Sequence, residues 1–420
     1  MATNNLISTE QPTERVLLVG VVHPFQDVLE VEENLEELAR LTTTAGGEVV
    51  GNVLQNRATI DATYYIGKGK ADEIAAKVDM LHADIVIFDD ELSPAQVKNL
   101  QKLMKKTRIM DRGFLILDIF ARHARTREAK TQVELAHWEY LLPRLTRQWT
   151  HLERQRAIGT RGGPGETQIE LDRRMIGQRI SRLKKDLTKI EQQRATRRKN
   201  RQDVFKVALV GYTNAGKSSL MNLFTDARVL VEDKLFATLD TTVRTIDLAG
   251  HNVLLSDTVG FIRKLPHNLI ASFKSTLQEV DDADLILKIV DMNNPNYDKH
   301  LETVDSVLQE LGVTERRTLT IFNKIDLIHD QEVFTAAMHQ FPDALAISVK
   351  RQININKLEN AILETIRSEH TVRELMLSYD QQKLLAHLHT ISDVLEIEYL
   401  DDNIRVKVKG RRAVLDSINQ

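Results

Sequence analysis

Cysteine is absent from the 420 residues. Disulfides, thiolate zinc sites, cysteine-held iron–sulfur clusters and a cysteine nucleophile are therefore excluded. No apolar run approaches the ~18 residues that a spanning helix needs. The polar stretch Met1–Glu14 lacks the apolar core of a secretory leader. A cytoplasmic protein without a membrane span is expected. Internal repeats and long low-complexity tracts are also missing. So is a dominant charge: 57 Lys or Arg oppose 60 Asp or Glu, a net of −3. Taken whole, that balance argues against a polyanionic partner. What is present, 42% hydrophobic and 28% charged residues, excludes a mainly disordered or collagen-like chain. The length suggests about two to four domains.

Residues 15–120 alternate short β-branched runs with helical spacings. Arg15–Val22, Glu48–Val53, Asp84–Phe88 and Arg108–Met110 read as strands. Val28–Leu41, Lys70–Leu81 and Pro94–Met104 read as helices, with Ser93 as an N-cap before Pro94. This predicts a small α/β subdomain over 1–120 with a parallel sheet. Residues 121–201 differ. Trp138, Leu142, Leu145, Trp149 and Leu152 form one heptad-like stripe, and Ile176, Ile180, Leu183, Leu187 and Ile190 form another. Pro143 should kink or restart the first helix. Between the stripes lies Ile158-Gly-Thr-Arg-Gly-Gly-Pro-Gly-Glu166, which cannot continue a helix. A helical hairpin with a Gly-rich tip is expected. From Leu142 to Arg201, 17 Lys or Arg face 6 Asp or Glu, a surplus of 11, so the other 360 residues carry −14. A face needing only solvation mixes both signs; this imbalance points to a polyanion-binding arm. Residues 202–370 alternate strands and helices again. The remainder, 371–420, predicts a small α+β domain: a helix over Gln381–Ile391, then two strands around Asp401-Asp402-Asn403.

The strand Phe205–Val210 runs into Gly211-Tyr212-Thr213-Asn214-Ala215-Gly216-Lys217-Ser218, followed by a helix from Ser219. This is GxxxxGKS in its strand–loop–helix context. Its backbone N–H groups and the helix N-terminus suit phosphates. Lys217 is expected on the β- and γ-phosphates and the Ser218 hydroxyl on Mg²⁺. Asp257-Thr-Val-Gly260 follows a later strand; Asp257 is expected to hold Mg²⁺ and the Gly260 N–H to sense the γ-phosphate. Asn323-Lys324-Ile-Asp326 follows another, and the Asp326 carboxylate matches the N1–H and amine of guanine, a donor pair that adenine lacks. Ser348, Val349 and Lys350 are expected to bring backbone N–H groups to guanine O6. Together these motifs predict a P-loop GTPase domain with a mostly parallel sheet.

The switch between the P-loop helix and Asp257 must supply a hydroxyl to Mg²⁺, and position alone leaves Thr238 and Thr242 open. After Gly260 comes Phe261, where GTPases of the Ras type carry a water-orienting Gln. A phenyl ring cannot do that, so intrinsic hydrolysis is expected to be slow and the site to be completed from elsewhere. K⁺, with Asn214 as its candidate ligand, is one way; a group from a bound partner is the other.

The chain resembles the HflX family of ribosome-associated GTPases. The resemblance rests on Tyr65-Ile-Gly-Lys-Gly-Lys70, Leu92-Ser-Pro-Ala-Gln96, Phe236-Ala-Thr-Leu-Asp240 and above all Gly159-Thr-Arg-Gly-Gly-Pro-Gly-Glu-Thr-Gln168. It implies a monomeric GTPase that binds the large (50S) ribosomal subunit and splits stalled or idle 70S ribosomes under stress. The hairpin would reach toward the peptidyl transferase centre, and Arg161, Gly162, Gly163, Pro164 and Gly165 would contact rRNA. It also favours Thr238 over Thr242, and adds Thr238 to Lys217 and Gly260 as groups at the reacting phosphate. One departure is Thr241, where the family's switch has Pro. ATP use through the N-terminal domain, credited to some members, finds no support in residues 67–70, whose spacing is not that of a P-loop. The competing readings are a GTP-gated RNA or ribosome tether with negligible turnover, and an RNA-modification GTPase. The second has no carbon-transfer motif in its favour.

Overall fold

In the computed structural model, residues 13–24, 26–145, 168–199, 204–225, 235–236, 242–264, 278–313, 316–328, 330–400, 402–411 and 415 are described. The chain divides into two compact units. The first is Met1–Glu191 with Leu230–Asp240 and Val259–Thr276; the second is Gln192–Val229, Thr241–Thr258 and Leu277–Gln420.

The first unit opens with a four-stranded parallel sheet in the order β2-β1-β3-β4: β1 (Arg15–Val22), β2 (Glu48–Asn56), β3 (Ile85–Phe88) and β4 (Arg108–Asp111). Burial explains the strands' composition, since β1 is buried at every residue after Arg15 and β3 throughout. Helices α1 (Val28–Thr44), α2 (Lys68–Leu81) and α3 (Pro94–Leu103) bury their apolar stripes on it. The Ser93 side chain caps α3, and Gln96 returns the bond to the Ser93 N–H, a reciprocal capping box. Next comes α4 (Arg112–His123), which the spacing analysis does not anticipate. Leu115, Ile116, Leu117, Ile119 and Phe120 are all buried, while Asp118 and Arg122, an i,i+4 ion pair, lie on the exposed side; the short apolar run Leu115-Ile-Leu117 reads equally as a strand.

The hairpin is α5 (Arg127–Leu141), a single 3-10 turn at Leu142–Arg144 where Pro143 breaks the helix, and α6 (Gln168–Lys199). Ile176 and Leu183 of the second stripe are buried. Arg179 forks onto Glu134 at 2.7 Å, and Lys184 meets Glu139 at 2.8 Å. Trp149, Leu152 and the Gly-rich tip lie outside the described residues.

The second unit holds a six-stranded sheet, order β10-β9-β8-β5-β7-β6. Its strands are β5 (Phe205–Gly211), β6 (Thr242–Leu248), β7 (His251–Asp257), β8 (Leu285–Asp291), β9 (Arg317–Asn323) and β10 (Leu345–Ala346), parallel except for the β6–β7 hairpin. Helices α7 (Lys217–Thr225), α8 (Gln278–Asp281), α9 (Tyr297–Glu310), α10 (Gln331–Gln340) and α11 (Ile355–Glu369) connect or flank them. This is the α/β GTPase architecture expected. The C-terminal part adds β11 (His370–Ser378), α12 (Gln382–Ile391), β12 (Asp393–Tyr399) and β13 (Asn403–Arg411), an antiparallel sheet in the order β11-β13-β12. The hairpin is as expected; β11 is additional, the exposed apolar residues Val372 and Met376 having blurred the alternation that buries Leu375 and Leu377.

Candidate nucleotide site

The carboxyl ends of β5, β7, β8 and β9 carry the motif residues of the second unit. Two P-loop positions require glycine. Gly211 has φ +155°, and a Cβ there would lie 2.2 Å from the Ile289 carbonyl oxygen; Gly216 has φ +102°, and its Cβ would lie 2.2 Å from Asn323 Nδ2. Asn214 sits at φ +60°, a conformation that Asn tolerates. Lys217 is buried and donates to the carbonyl oxygens of Gly211 (3.0 Å) and Tyr212 (2.8 Å). Burial pulls its pKa down to about 8, against the opposing pull of Asp257. A buried ammonium held by loop carbonyls is poised for exchange onto phosphate oxygens.

The Ser218 hydroxyl lies 2.6 Å from Asp257 Oδ2. These two oxygen donors come from elements 39 residues apart, and hard oxygens in such a pairing suit Mg²⁺. The residues present therefore fit that ion. Thr258 is buried and donates to the Leu209 carbonyl at 2.7 Å, tying β7 to β5 beneath the P-loop. The buried Thr213 hydroxyl has no hydrogen-bond partner among the described residues. Thr242, one of the two switch threonines considered, is the first residue of β6 and pairs with Asp257 across the strands. Thr238 lies outside the described residues.

The base-recognition motifs are interlocked. Asn323 donates from Nδ2 to the Ala215 carbonyl (2.9 Å) and accepts at Oδ1 from the Val349 N–H (3.1 Å). One side chain thus ties the P-loop, β9 and the Ser348 loop together. Ser348 donates to Asp326 Oδ1 at 2.6 Å, and its Oγ accepts from the Arg351 N–H. Lys324, in the left-handed region at φ +64°, extends to Asp291 Oδ2 at 2.7 Å. Lys350 follows on an exposed turn, and Ser219 stands in the first turn of α7. Sequence reasoning missed two supporting residues: Asp291, and His300 of α9, whose ring stacks on Tyr212 at 3.7 Å and 4°. Neither belongs to a motif, and only the fold brings them to the site.

Among known proteins, the chain is 43% identical over 415 residues to the GTPase HflX of Magnetococcus marinus, covering 98% of this chain and 95% of that protein. The chain belongs to the HflX family of GTPases. It is 42% identical to the GTPase HflX of Escherichia coli, with 91% of each chain covered. Family models match in sequence: GTP-binding GTPase N-terminal over 32–121, GTP-binding GTPase middle region over 123–201, and 50S ribosome-binding GTPase over 206–324. A GTP-binding protein from Sulfolobus solfataricus, solved with GDP, aligns over 84% of this chain and 98% of its own at 24% identity and a TM-score of 0.44. As an HflX GTPase the chain is a GTP hydrolase.

The N-terminal signatures of the HflX family have structural tasks here. Leu92-Ser-Pro-Ala-Gln96 contains the α3 capping box, and its Leu92 N–H donates to the buried Asp111 carboxylate. Tyr65 stands at φ +70° with its hydroxyl 3.0 Å from His23 Nε2. In the first unit Phe261 is 2% exposed, a packed ring and not a group that orients water. Phe236, opening the Phe-Ala-Thr-Leu-Asp run, sits edge-on to Phe120 of α4 at 4.7 Å. Gly260 also falls in this unit.

Proposed function

We propose that this HflX GTPase acts in the cytoplasm, as a monomer, on the large (50S) ribosomal subunit, and dissociates stalled or idle 70S ribosomes under stress. The observation that carries this reading is the basic hairpin. Arg173, Arg174, Arg182, Lys185 and Lys189 are exposed along α6, while its apolar stripe and its ion pairs to α5, through Arg179 and Lys184, use other positions. Exposed cations spaced along a long helix suit RNA phosphate. The description of the matching model, a 50S ribosome-binding GTPase, supports the same partner. Glycines at the tip expose backbone N–H groups without side-chain bulk, which suits contact of Arg161, Gly162, Gly163, Pro164 and Gly165 with rRNA.

In this reading residues 1–120 and 121–201 form the ribosome-facing part, 202–370 the engine and 371–420 an accessory. GTP is held by the P-loop and Asp326. Ser218, Thr238 and Asp257 would hold Mg²⁺, whose charge would offset that of the phosphates. Asn214 is the candidate K⁺ ligand; equal hydrolysis rates in Na⁺ and K⁺ would reject it. GTP and GDP forms must differ in their contacts with the subunit for hydrolysis to release the factor. Sedimentation of 70S ribosomes with the protein and a non-hydrolysable GTP analogue tests the proposal. Free subunits with the factor on the larger one are expected; intact 70S particles at saturating protein would refute splitting.

A further inference from the structure

We propose that Asp291 is a positioning residue for the nucleobase: it tethers the Lys324 ammonium, so that the alkyl chain of Lys324 is ordered near Asp326 before a purine arrives. Its role rests on the reading of Asp326 as the acceptor for guanine; all the residues concerned lie in the second unit. Asp291 ends β8 and pairs in register with Asn323 at the end of β9. The Met292 N–H donates to the Asn323 carbonyl at 3.0 Å, so the two strand ends stay bonded as they enter their loops. Both carboxylate oxygens of Asp291 are engaged. Oδ1 accepts from the Asn293 N–H at 3.1 Å, an Asx turn that fixes the carboxylate on its own loop. Oδ2 accepts from Lys324 Nζ at 2.7 Å.

The base motif divides its side chains among separate partners. Asn323 bonds the P-loop and the Ser348 loop, and Asp326 takes the Ser348 hydroxyl. Lys324 stands between them at φ +64° and leads into the 3-10 turn Ile325–Leu327. A left-handed residue reverses the chain locally, and here the Lys324 side chain reaches β8 instead of the P-loop or the Ser348 loop. Of the partners, Asp291 alone belongs to no nucleotide motif. The Lys324 and Asp291 side chains are 25% and 21% exposed. A pair this open to water adds little to stability by itself, so its worth must lie in what it holds in place.

What it holds is the lysine stem. A lysine fixed at both Cα and Nζ presents its methylenes as an apolar rod. A purine bound by its edge to Asp326 has two faces to cover, and an ordered stem close by can cover one of them. Without the tether, the rotamer freedom of Lys324 must be lost when the nucleotide binds, which weakens binding; with it, that loss is already incurred in folding. The two carboxylates then have different tasks. Asp326 reads the edge of the base and decides which purine is taken. Asp291 acts through a face, which all purines share, and decides how long any purine nucleotide is held.

The test uses the full chain and compares Asp291→Ala, Asp291→Glu, Lys324→Ala and the double variant Asp291→Ala/Lys324→Ala. Release of GDP and of inosine diphosphate, each carrying a ribose-linked fluorophore, is timed by stopped flow. Affinity for inorganic pyrophosphate, which has no base, is measured by competition. Asp291→Ala should speed release of both nucleotides about tenfold, the upper end of what ordering one rotamer-rich side chain costs. Pyrophosphate affinity should stay close to the parent's. Asp291→Glu should retain most of the slow release, and the double variant should release no faster than the faster single variant. Unchanged GDP release in Asp291→Ala overturns the proposal. So does a parallel loss of pyrophosphate affinity, which marks a damaged P-loop, and so do strictly additive effects in the double variant. If Asp291→Ala fails to fold, Asp291→Asn, which keeps an acceptor for the Asn293 N–H, decides the matter by the same comparison. Asp326→Asn separates the two readings. If it leaves the preference for GTP over ATP intact, the base-recognition reading falls and this role with it; if that preference shrinks while Asp291→Ala releases GDP normally, only the role of Asp291 falls.

Discussion

Asn323 shows how much one side chain coordinates: it bonds the P-loop at Ala215 and the Ser348 loop at Val349, and its Nδ2 occupies the space that a Cβ on Gly216 would need. Gly216→Ala should therefore displace Asn323 as well as strain the loop, and calorimetry should find GTP affinity reduced at least a hundredfold. Asp326 is held toward its task by the Ser348 hydroxyl. Replacing it with Asn inverts the acceptor that guanine needs, so competition binding should show the preference for GTP over ATP shrinking by about 1–3 kcal/mol, the cost of an unmatched buried polar group. Unchanged discrimination would reject the assignment. Asp89 supplies a pH test. Its pKa is lowered in the folded chain, after burial is outweighed by Arg112 and Lys264. The stability it contributes is thus fully present above the unfolded carboxylate value and is lost as pH falls through the lowered one. Thermal unfolding should show Asp89→Asn clearly less stable than the parent at pH 7, with the gap closing as the pH drops below about 4.

Among the elements, the α5–α6 hairpin joins a rigid base to a Gly-rich end. Ile176, Leu183 and the pairs Arg179–Glu134 and Lys184–Glu139 fix α6 along α5. Removing Gly162–Gly165 leaves these contacts and the nucleotide site untouched. That variant should bind GTP with unchanged affinity yet fail to generate free subunits in a 70S sedimentation assay; normal splitting would remove the tip from the mechanism. Elements also mark the limits of reading by pattern. Helix α3 announces itself through Ser93, Pro94 and Gln96, because caps and Pro act locally. Helix α4 does not, since its short apolar run Leu115-Ile-Leu117 reads equally as a buried strand. Strand β11 is concealed because Val372 and Met376 are exposed apolar residues that blur the alternation, and its pairing with β13 spans roughly thirty residues of intervening chain, a long-range event that local propensity does not encode.

For the whole molecule, a net charge of −3 combines a segment of +11 with a remainder of −14. Low overall charge limits indiscriminate attraction to RNA, while the hairpin keeps a concentrated local field. Subunit association should accordingly be salt-dependent through the hairpin alone. Neutralising Arg173, Arg174, Arg182 and Lys185 together should flatten the slope of log affinity against log salt by about 3, if each cation releases close to one counterion. A slope equal to the parent's would place the RNA contacts elsewhere. Within the first unit, Phe236 packs edge-on to Phe120, and Lys264 bonds Asp89 and Asp90.

The residues alone determined the GTPase engine, because phosphate and guanine recognition depend on short motifs whose geometry is local: a strand, a tight glycine loop and a helix N-terminus, or an Asp a fixed distance after an Asn. They also determined the basic hairpin, because heptad spacing and charge imbalance are both linear properties. Only the tertiary structure decided what supports those motifs. His300 beneath Tyr212, Asp291 beside Lys324, and the Asp89–Arg112–Lys264 network join residues from 23 to 175 positions apart. Each depends on charges and rings meeting in a buried setting, where pairing is decided by which strands become neighbours and not by any spacing along the chain.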